Sequence, residues 1–228
     1  MSNPQQTLDA DGYALAPDVL SAAECAAVIE HTARAQTLSG NSRSLLSQAW
    51  CAALARRLRQ HPVLAKLMPQ THVAVQCTYF EKSPARNWLV SIHQDPSIPV
   101  AEQVEHPALR GASIKEGTVF VQPPAEVLAQ LLALRLHLDP CSAQDGALRV
   151  WPGTHRMGRL TAQEAAAQRA HHAEVICETA PGAVLAMRPL LLHASSKADD
   201  SSTSRRRVLH FLFGPPALPY GLHWQIAV

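Results

Sequence analysis

Three His-x-acid triplets stand in the chain: His93-Gln94-Asp95, His137-Leu138-Asp139 and His172-Ala173-Glu174. An imidazole and a carboxylate two residues apart can serve one metal ion, provided the backbone aims both at one point. In a strand, residues i and i+2 share a face; in a helix they diverge. His172 and Glu174 fall in the alanine-rich "TAQEAAAQRAHHAEV" at 161–175, which reads as helix, so that triplet is expected to be a solvated helix end. The other two close apolar, β-like runs, "WLVSIHQD" and "LALRLHLD", and both pass.

A mononuclear iron(II) site of the facial-triad kind needs one more histidine, leaving three adjacent positions open for oxygen and a co-substrate. "PLLLHASS" supplies His193 after an apolar run, with small residues behind it that leave room for a ligand. His193 lies 98 residues after Asp95, enough for five strands and their connections, but only 54 after Asp139. The first triplet therefore fits better. In the second, Arg135, His137 and Asp139 share a strand face, which points to a structural polar network or a turn cap at Asp139, with His137 lining the cavity. Thirteen residues past His193, "SRRRVLHFLFG" places Arg206 one strand further on. A guanidinium is suited to clamp a carboxylate bidentately in a partly dry cavity.

The elements that must position these groups change character along the chain. The first 70 residues read helical: Ser21 with Glu24 forms a capping box for "SAAECAAVIEHTARA", a second helix covers 45–60, and a short one follows Pro62. From residue 72, eight short runs ("THVAVQCTYFEK", "NWLVSIHQD", "GTVFVQ", "LLALRLHLD", "GALRVW", "GAVLAM", "LLLHASS" and "RRRVLHFLF") alternate or are β-branched and are broken by Pro, Gly and Asp. "PPAEVLAQL" and the stretch 161–175 read as helical interruptions. The expectation is a mainly β protein with flanking helices: one domain over 1–228, with a helical cover to residue 70 and a jelly-roll core from 71. Residues 96–117 read as a long irregular insertion directly after Asp95, of the kind that serves as a lid.

Composition narrows the function classes. With 47% hydrophobic and 17% charged residues the chain is an ordinary globular one, and its net charge of +2 gives no reason to expect nucleic acid or a membrane surface. No secretory signal or membrane-spanning run is visible. Five scattered cysteines without a Cys-x-x-Cys read as reduced thiols in a cytoplasmic protein.

Four pieces in order, "SIHQD", "GALRVWPGTHRMG", "PGAVLAMRPLLLHASS" and "RRRVLHFLF", resemble the phytanoyl-CoA dioxygenase family of iron(II)/2-oxoglutarate-dependent oxygenases over residues ~72–225. Thr154 stands where the family's Pro-Gly-Ser-His connection has serine. The resemblance implies a double-stranded β-helix (cupin-like) core. It makes His93, Asp95 and His193 the iron ligands and Arg206 the partner of the distal carboxylate of 2-oxoglutarate, with Ser195 beside it. Gln76 and Tyr79, on the strand before "SIHQD", are candidates for the other end of the co-substrate. Arg205 and Arg207, on the opposite strand face, are expected to be solvated or to pair with Asp199 and Asp200. Trp151 is expected in the core, His155 in a stabilised loop, and His171, His172 and His210 on the surface or a strand face.

The implied chemistry couples oxidative decarboxylation of 2-oxoglutarate by O2, giving succinate and carbon dioxide, to hydroxylation of an unactivated C–H bond. Halogenating relatives lack the carboxylate that Asp95 supplies, so hydroxylation is favoured. Two other readings compete: a cupin-like metal-binding isomerase or small-molecule sensor that does not use 2-oxoglutarate, and a non-catalytic binding scaffold. The substrate is expected to be a small molecule; Arg110, Lys115, Arg149 and Arg188 near the expected mouth would suit a carboxylate or phosphate on it.

Overall fold

In the computed structural model, residues 3–34, 43–83, 85–199 and 205–228 are described. Among the described residues before residue 71 are three α-helices, α1 (Pro4–Asp11), α2 (Ala22–Arg34) and α3 (Ala49–Gln60), together with a strand that the helical reading missed, β1 (Tyr13–Ala16). The capping box forms as expected: the backbone N–H and hydroxyl of Ser21 both donate to Glu24 at 2.7 Å, satisfying the free end of α2.

The remaining strands are β2 (Val73–Lys82), β3 (Val90–His93), β4 (Ile98–Val100), β5 (Arg110–Lys115), β6 (Thr118–Gln122), β7 (Leu132–His137), β8 (Leu148–Val150), β9 (Val175–Cys177), β10 (Val184–Met187), β11 (His193–Ser195) and β12 (Arg206–Gly214). Two short helices, α4 (Ala125–Leu128) and α5 (Ala162–Ala167), interrupt them. All named pairings are antiparallel. β1-β10-β7-β12-β2 form the larger sheet, β3-β11-β8-β9 the smaller one facing it, and β4-β6-β5 a third. This is a mainly β, cupin-like jelly roll with few helices. Each of the eight runs read as strands becomes one.

Period-two alternation divides the larger sheet's side chains between two packing environments. Leu134, Leu136, Leu209, Phe211 and Phe213 point away from the smaller sheet and cluster with Leu54 and Leu58 of α3 and Val28 of α2. On the inner face, Ala133, Leu185, Met187 and Leu212 meet Leu148 and Val150 of the smaller sheet. Burying these apolar faces stabilises the sandwich by roughly 25 cal/mol for each Å² removed from water.

Two expectations are corrected. Residues 96–117 are not an irregular insertion, because β4 and β5 lie within them and flank β6. They were hard to read because both are edges: β5 is almost wholly exposed and β4 is three residues long with Pro99 at its centre, where only an edge strand tolerates proline. The helix expected over 161–175 stops at Ala167 with a 3-10 turn to Ala170, and Val175 opens β9. All five cysteines are buried and unpaired. No described helix is long and apolar enough to cross a membrane.

Candidate metal centre and its cavity

β3 and β11 are neighbours, and their register puts His93 directly opposite His193. The two rings lie 4.2 Å apart, tilted by 51°. Asp95 follows just beyond β3, its amide donating to the Pro189 carbonyl at 2.9 Å, which fixes the turn that returns the carboxylate to the histidines. Asp95 Oδ1 is 3.7 Å from His93 Nε2, and Oδ2 is 3.6 Å from His193 Nε2. One donor atom from each residue falls within 4.8 Å of the others, making this the one three-residue cluster of metal-ligating type among the described residues.

Both imidazoles are aimed by the same device. His93 Nδ1–H donates to the Ser91 carbonyl at 2.8 Å and His193 Nδ1–H to the Leu191 carbonyl at 2.9 Å. A carbonyl can only accept, so each ring carries its proton on Nδ1 and turns the Nε2 lone pair to the cluster. Burial, only partly offset by Asp95, lowers the His193 pKa to about 4. At Asp95 burial pulls upward, but the neighbouring His193, His210, His93 and Arg135 outweigh it and hold the carboxyl below its ordinary value. Two imidazoles that present Nε2 and one carboxylate form a donor set whose chemistry fits iron(II) or a similar divalent ion.

Gln94, between His93 and Asp95, points the other way. Its Nε2 donates to the carbonyls of Gly158 and Leu190 at 2.8 and 2.7 Å, and its Oε1 accepts from the Leu160 amide at 2.8 Å. The "WPGT" turn braces the other side: Thr154 Oγ1 donates to Trp151 O at 2.7 Å and accepts from the Leu192 amide at 3.0 Å, next to His193. The threonine thus does the same bonding a serine could, and Trp151 is buried core as expected.

The cluster opens into a cavity of about 480 Å³, a size typical of small-molecule sites. Arg206 and Ser195 line it. Both are anchored on the carbonyl of Gly146, to which Arg206 Nη1 and Ser195 Oγ donate, the latter at 3.0 Å. Gly146 has φ +70°, and a Cβ there would meet the Ser196 carbonyl at 2.5 Å, so the position demands glycine. Gln76 also lines the cavity, donating to Thr78 Oγ1 at 2.8 Å.

Tyr79 does not reach it. Three residues along β2 from Gln76, it faces the helices, and its hydroxyl donates to Glu81 at 3.2 Å. The second triplet is also separate. Arg207 clasps Asp139 through Nε at 2.8 Å and Nη2 at 2.6 Å, so Arg207 pairs there and not with Asp199. Arg205 lies 3.8 Å from Glu81, and Asp200 is outside the described residues. His137 is buried with both ring nitrogens unpartnered and is not among the cavity-lining residues; burial and the nearby Arg135 and Arg206 push its pKa down to about 3. Of the four basic residues expected at the mouth only Lys115 lines the cavity; Arg149 pairs with Glu174, Arg188 with Asp9, and Arg110 is exposed on β5.

Two basic groups, Arg43 and Lys82, were missed, and Arg135 was expected in a structural polar network and not in the cavity. Arg43 and Arg135 line the cavity, and Lys82, 2% exposed, donates to Ser195 Oγ at 2.7 Å. Burial, with Arg206 next to it, lowers the Lys82 pKa to about 7. The signal for Arg135 and Lys82 was strand alternation, which puts each on the face shared with Arg206 and Gln76.

The profile of the phytanoyl-CoA dioxygenase (PhyH) family matches residues 8–208. The chain belongs to the phytanoyl-CoA dioxygenase family. That family comprises iron(II)/2-oxoglutarate-dependent oxygenases, and the match also takes in most of the segment before residue 71. No curated protein sequence matches the chain significantly. Among solved structures, EctD from S. alaskensis in its apoform has a TM-score of 0.71 at 16% identity, covering 100% of this chain and 83% of that one. The epimerase SnoN, in complex with Fe3+, alpha ketoglutarate and nogalamycin RO, has a TM-score of 0.70 at 14% identity, covering 96% and 86%. AviO1 from Streptomyces viridochromogenes Tue57 has a TM-score of 0.64 at 19% identity, with 95% of each chain covered. At these identities the likeness speaks for the fold.

Proposed function

We propose that this family member is an iron(II)/2-oxoglutarate-dependent dioxygenase that hydroxylates an unactivated C–H bond of a small molecule. His93, Asp95 and His193 are its iron ligands, and Arg206 with Ser195 holds the distal carboxylate of 2-oxoglutarate. The observation that carries the reading is the arrangement of one cavity: three donor atoms within 4.8 Å of one another at one place, and Arg206 and Ser195 on its wall at another. On this reading residues 1–228 act as one oxygenase domain, with the helices before residue 71 set against the outer face of the larger sheet.

Bound iron with 2-oxoglutarate and O2 supplies oxidation of a C–H bond coupled to formation of succinate and carbon dioxide. The chain supplies aim, charge and dryness. Ser91 and Leu191 carbonyls keep the Nε2 lone pairs of both histidines available, and Asp95 supplies the single negative charge. Arg206 is 5% exposed, so its guanidinium meets a carboxylate in a partly desolvated place, where a charge-assisted fork is strong. Gln76 also lines the cavity, where it is available for the other end of the co-substrate or for the substrate.

The cationic lining suits a substrate carrying a carboxylate or phosphate. The test is a small-molecule screen of iron-loaded protein that reads both succinate and product mass. Substrate-stimulated succinate with gain of one oxygen atom supports hydroxylation. Succinate with an isomerised or dehydrogenated product keeps the cofactors and overturns the hydroxylation step.

A further inference from the structure

We propose that Arg135 binds the keto-acid end of 2-oxoglutarate, so that the co-substrate lies between two guanidinium groups, Arg206 at its distal carboxylate and Arg135 at C1. This rests on the function proposed above. Arg135 lines the cavity at 7% exposure, and its Nε has no hydrogen-bond partner. Among the described residues no carboxylate lies within ion-pair distance of it. Its contacts are Nη1 to His210 Nδ1 at 3.0 Å and a stack over the Phe80 ring at 5.7 Å. A buried guanidinium without a counter-ion is costly to keep, and an anionic ligand removes that cost.

The register says which end of the ligand Arg135 meets. Arg135 pairs with His210 across β7 and β12, while Arg206 lies four residues before His210 at the start of β12, opposite Lys82. On the facing sheet Ser195 sits beside Arg206, and His193 comes two residues before Ser195. His193 therefore lies toward the Arg135–His210 end and Ser195 at the Arg206 end. Burial disfavours the Arg135 charge most and Arg206 next, while Asp95 favours it. A 2-oxo acid that chelates a metal through its keto oxygen and one carboxylate oxygen leaves the second carboxylate oxygen free. That oxygen is the acceptor for Arg135. His210 is the positioning residue, its Nδ1 accepting from Nη1; burial and Arg135 keep its ring neutral, with a pKa of about 3.

The test is calorimetric titration of the manganese(II)-saturated protein, without oxygen, with 2-oxoglutarate and with 2-oxopentanoate, in which a methyl group replaces the distal carboxylate. Arg135→Gln is expected to weaken both ligands by the same factor, about tenfold or more for a lost charge-assisted bond. Arg206→Gln should weaken 2-oxoglutarate alone, down toward 2-oxopentanoate. Arg135→Lys should restore part of the affinity for both ligands, which a loss through misfolding would not do. Unchanged affinities in Arg135→Gln would overturn the proposal and move Arg135 to the primary substrate or to packing. Loss confined to 2-oxoglutarate would overturn it by placing Arg135 at the distal end. If wild-type protein that holds manganese binds neither acid, the proposed function itself fails, whatever the variants do.

Discussion

His93-Gln94-Asp95 and His137-Leu138-Asp139 have the same spacing and sit on facing sheets, yet their environments are opposite. In the first, each histidine of the cluster spends its Nδ1 proton on a carbonyl two residues back, and Asp95 is approached by imidazoles that leave its oxygens free for an ion. In the second, His137 has no partner on either nitrogen and Asp139 accepts three N–H groups of Arg207, one from the backbone and two from the guanidinium. A His-x-Asp pair becomes a candidate site through what the fold leaves unpaired and aimed. The spacing is only the entry condition.

The largest contrast between the two triplets should appear in metal affinity. His93→Ala, Asp95→Ala and His193→Ala are each expected to abolish tight iron(II) binding, and His137→Ala to leave it nearly intact, as read by metal content after dialysis. The opposite pattern would transfer the site to the second triplet.

Arg206 and Arg207, neighbours in sequence, should separate next. Arg206→Ala is expected to raise the 2-oxoglutarate requirement about tenfold to two-hundredfold, from a charge-assisted bond worth roughly 1.5–3 kcal/mol. Arg206→Lys should recover part of that, because an ammonium lacks the planar fork. Arg207→Ala should leave the co-substrate requirement alone and cost about 1.5–3 kcal/mol of stability in urea unfolding, since it strands the Asp139 carboxylate. A large effect of Arg207→Ala on 2-oxoglutarate would shift the register of the site by one residue.

A smaller effect concerns pH. His193 has a folded pKa of about 4 and His137 and His210 of about 3, all displaced downward chiefly by burial. An unfolded histidine titrates near 6.5. Between these values the unfolded chain binds more protons than the folded one, so metal-free protein should lose stability as pH falls from about 6.5 toward 4–3. His137→Leu removes one such proton acceptor outside the proposed triad and should flatten the slope of urea midpoint against pH. An unchanged slope would mean that His137 is not held neutral. The smallest effect expected is on residues 101–109, the exposed link between β4 and β5. Protease cleavage there should slow when iron and 2-oxoglutarate are bound, and equal rates would remove any lid role.

Much of this was legible beforehand because the signals were local. "SIHQD" and "LLLHASS" end apolar runs, and alternation correctly set Arg206 apart from Arg205 and Arg207. What was not legible depended on strand partners. Whether Gln76 or Tyr79 faces the cavity turned on which face of β2 looks inward, and a bulge opposite Leu212 complicates that strand. The Arg207–Asp139 clasp joins residues 68 positions apart. β4 and β9 are only three residues long and β5 is exposed, so none leaves a readable pattern, while β1 is four residues inserted among helices. Arg135 read as part of a structural polar network with His137 and Asp139, and its place on the cavity wall became visible only once the sheets faced each other.

The central claim is that the first triplet holds iron for 2-oxoglutarate chemistry. Its most direct test is the amount of succinate formed per 2-oxoglutarate consumed by iron-loaded protein under oxygen, in wild type, Asp95→Ala and His137→Ala. Equal molar conversion in wild type and His137→Ala, with none in Asp95→Ala, is the expected result. Iron held by the triad without any succinate, or conversion that survives Asp95→Ala, would contradict it.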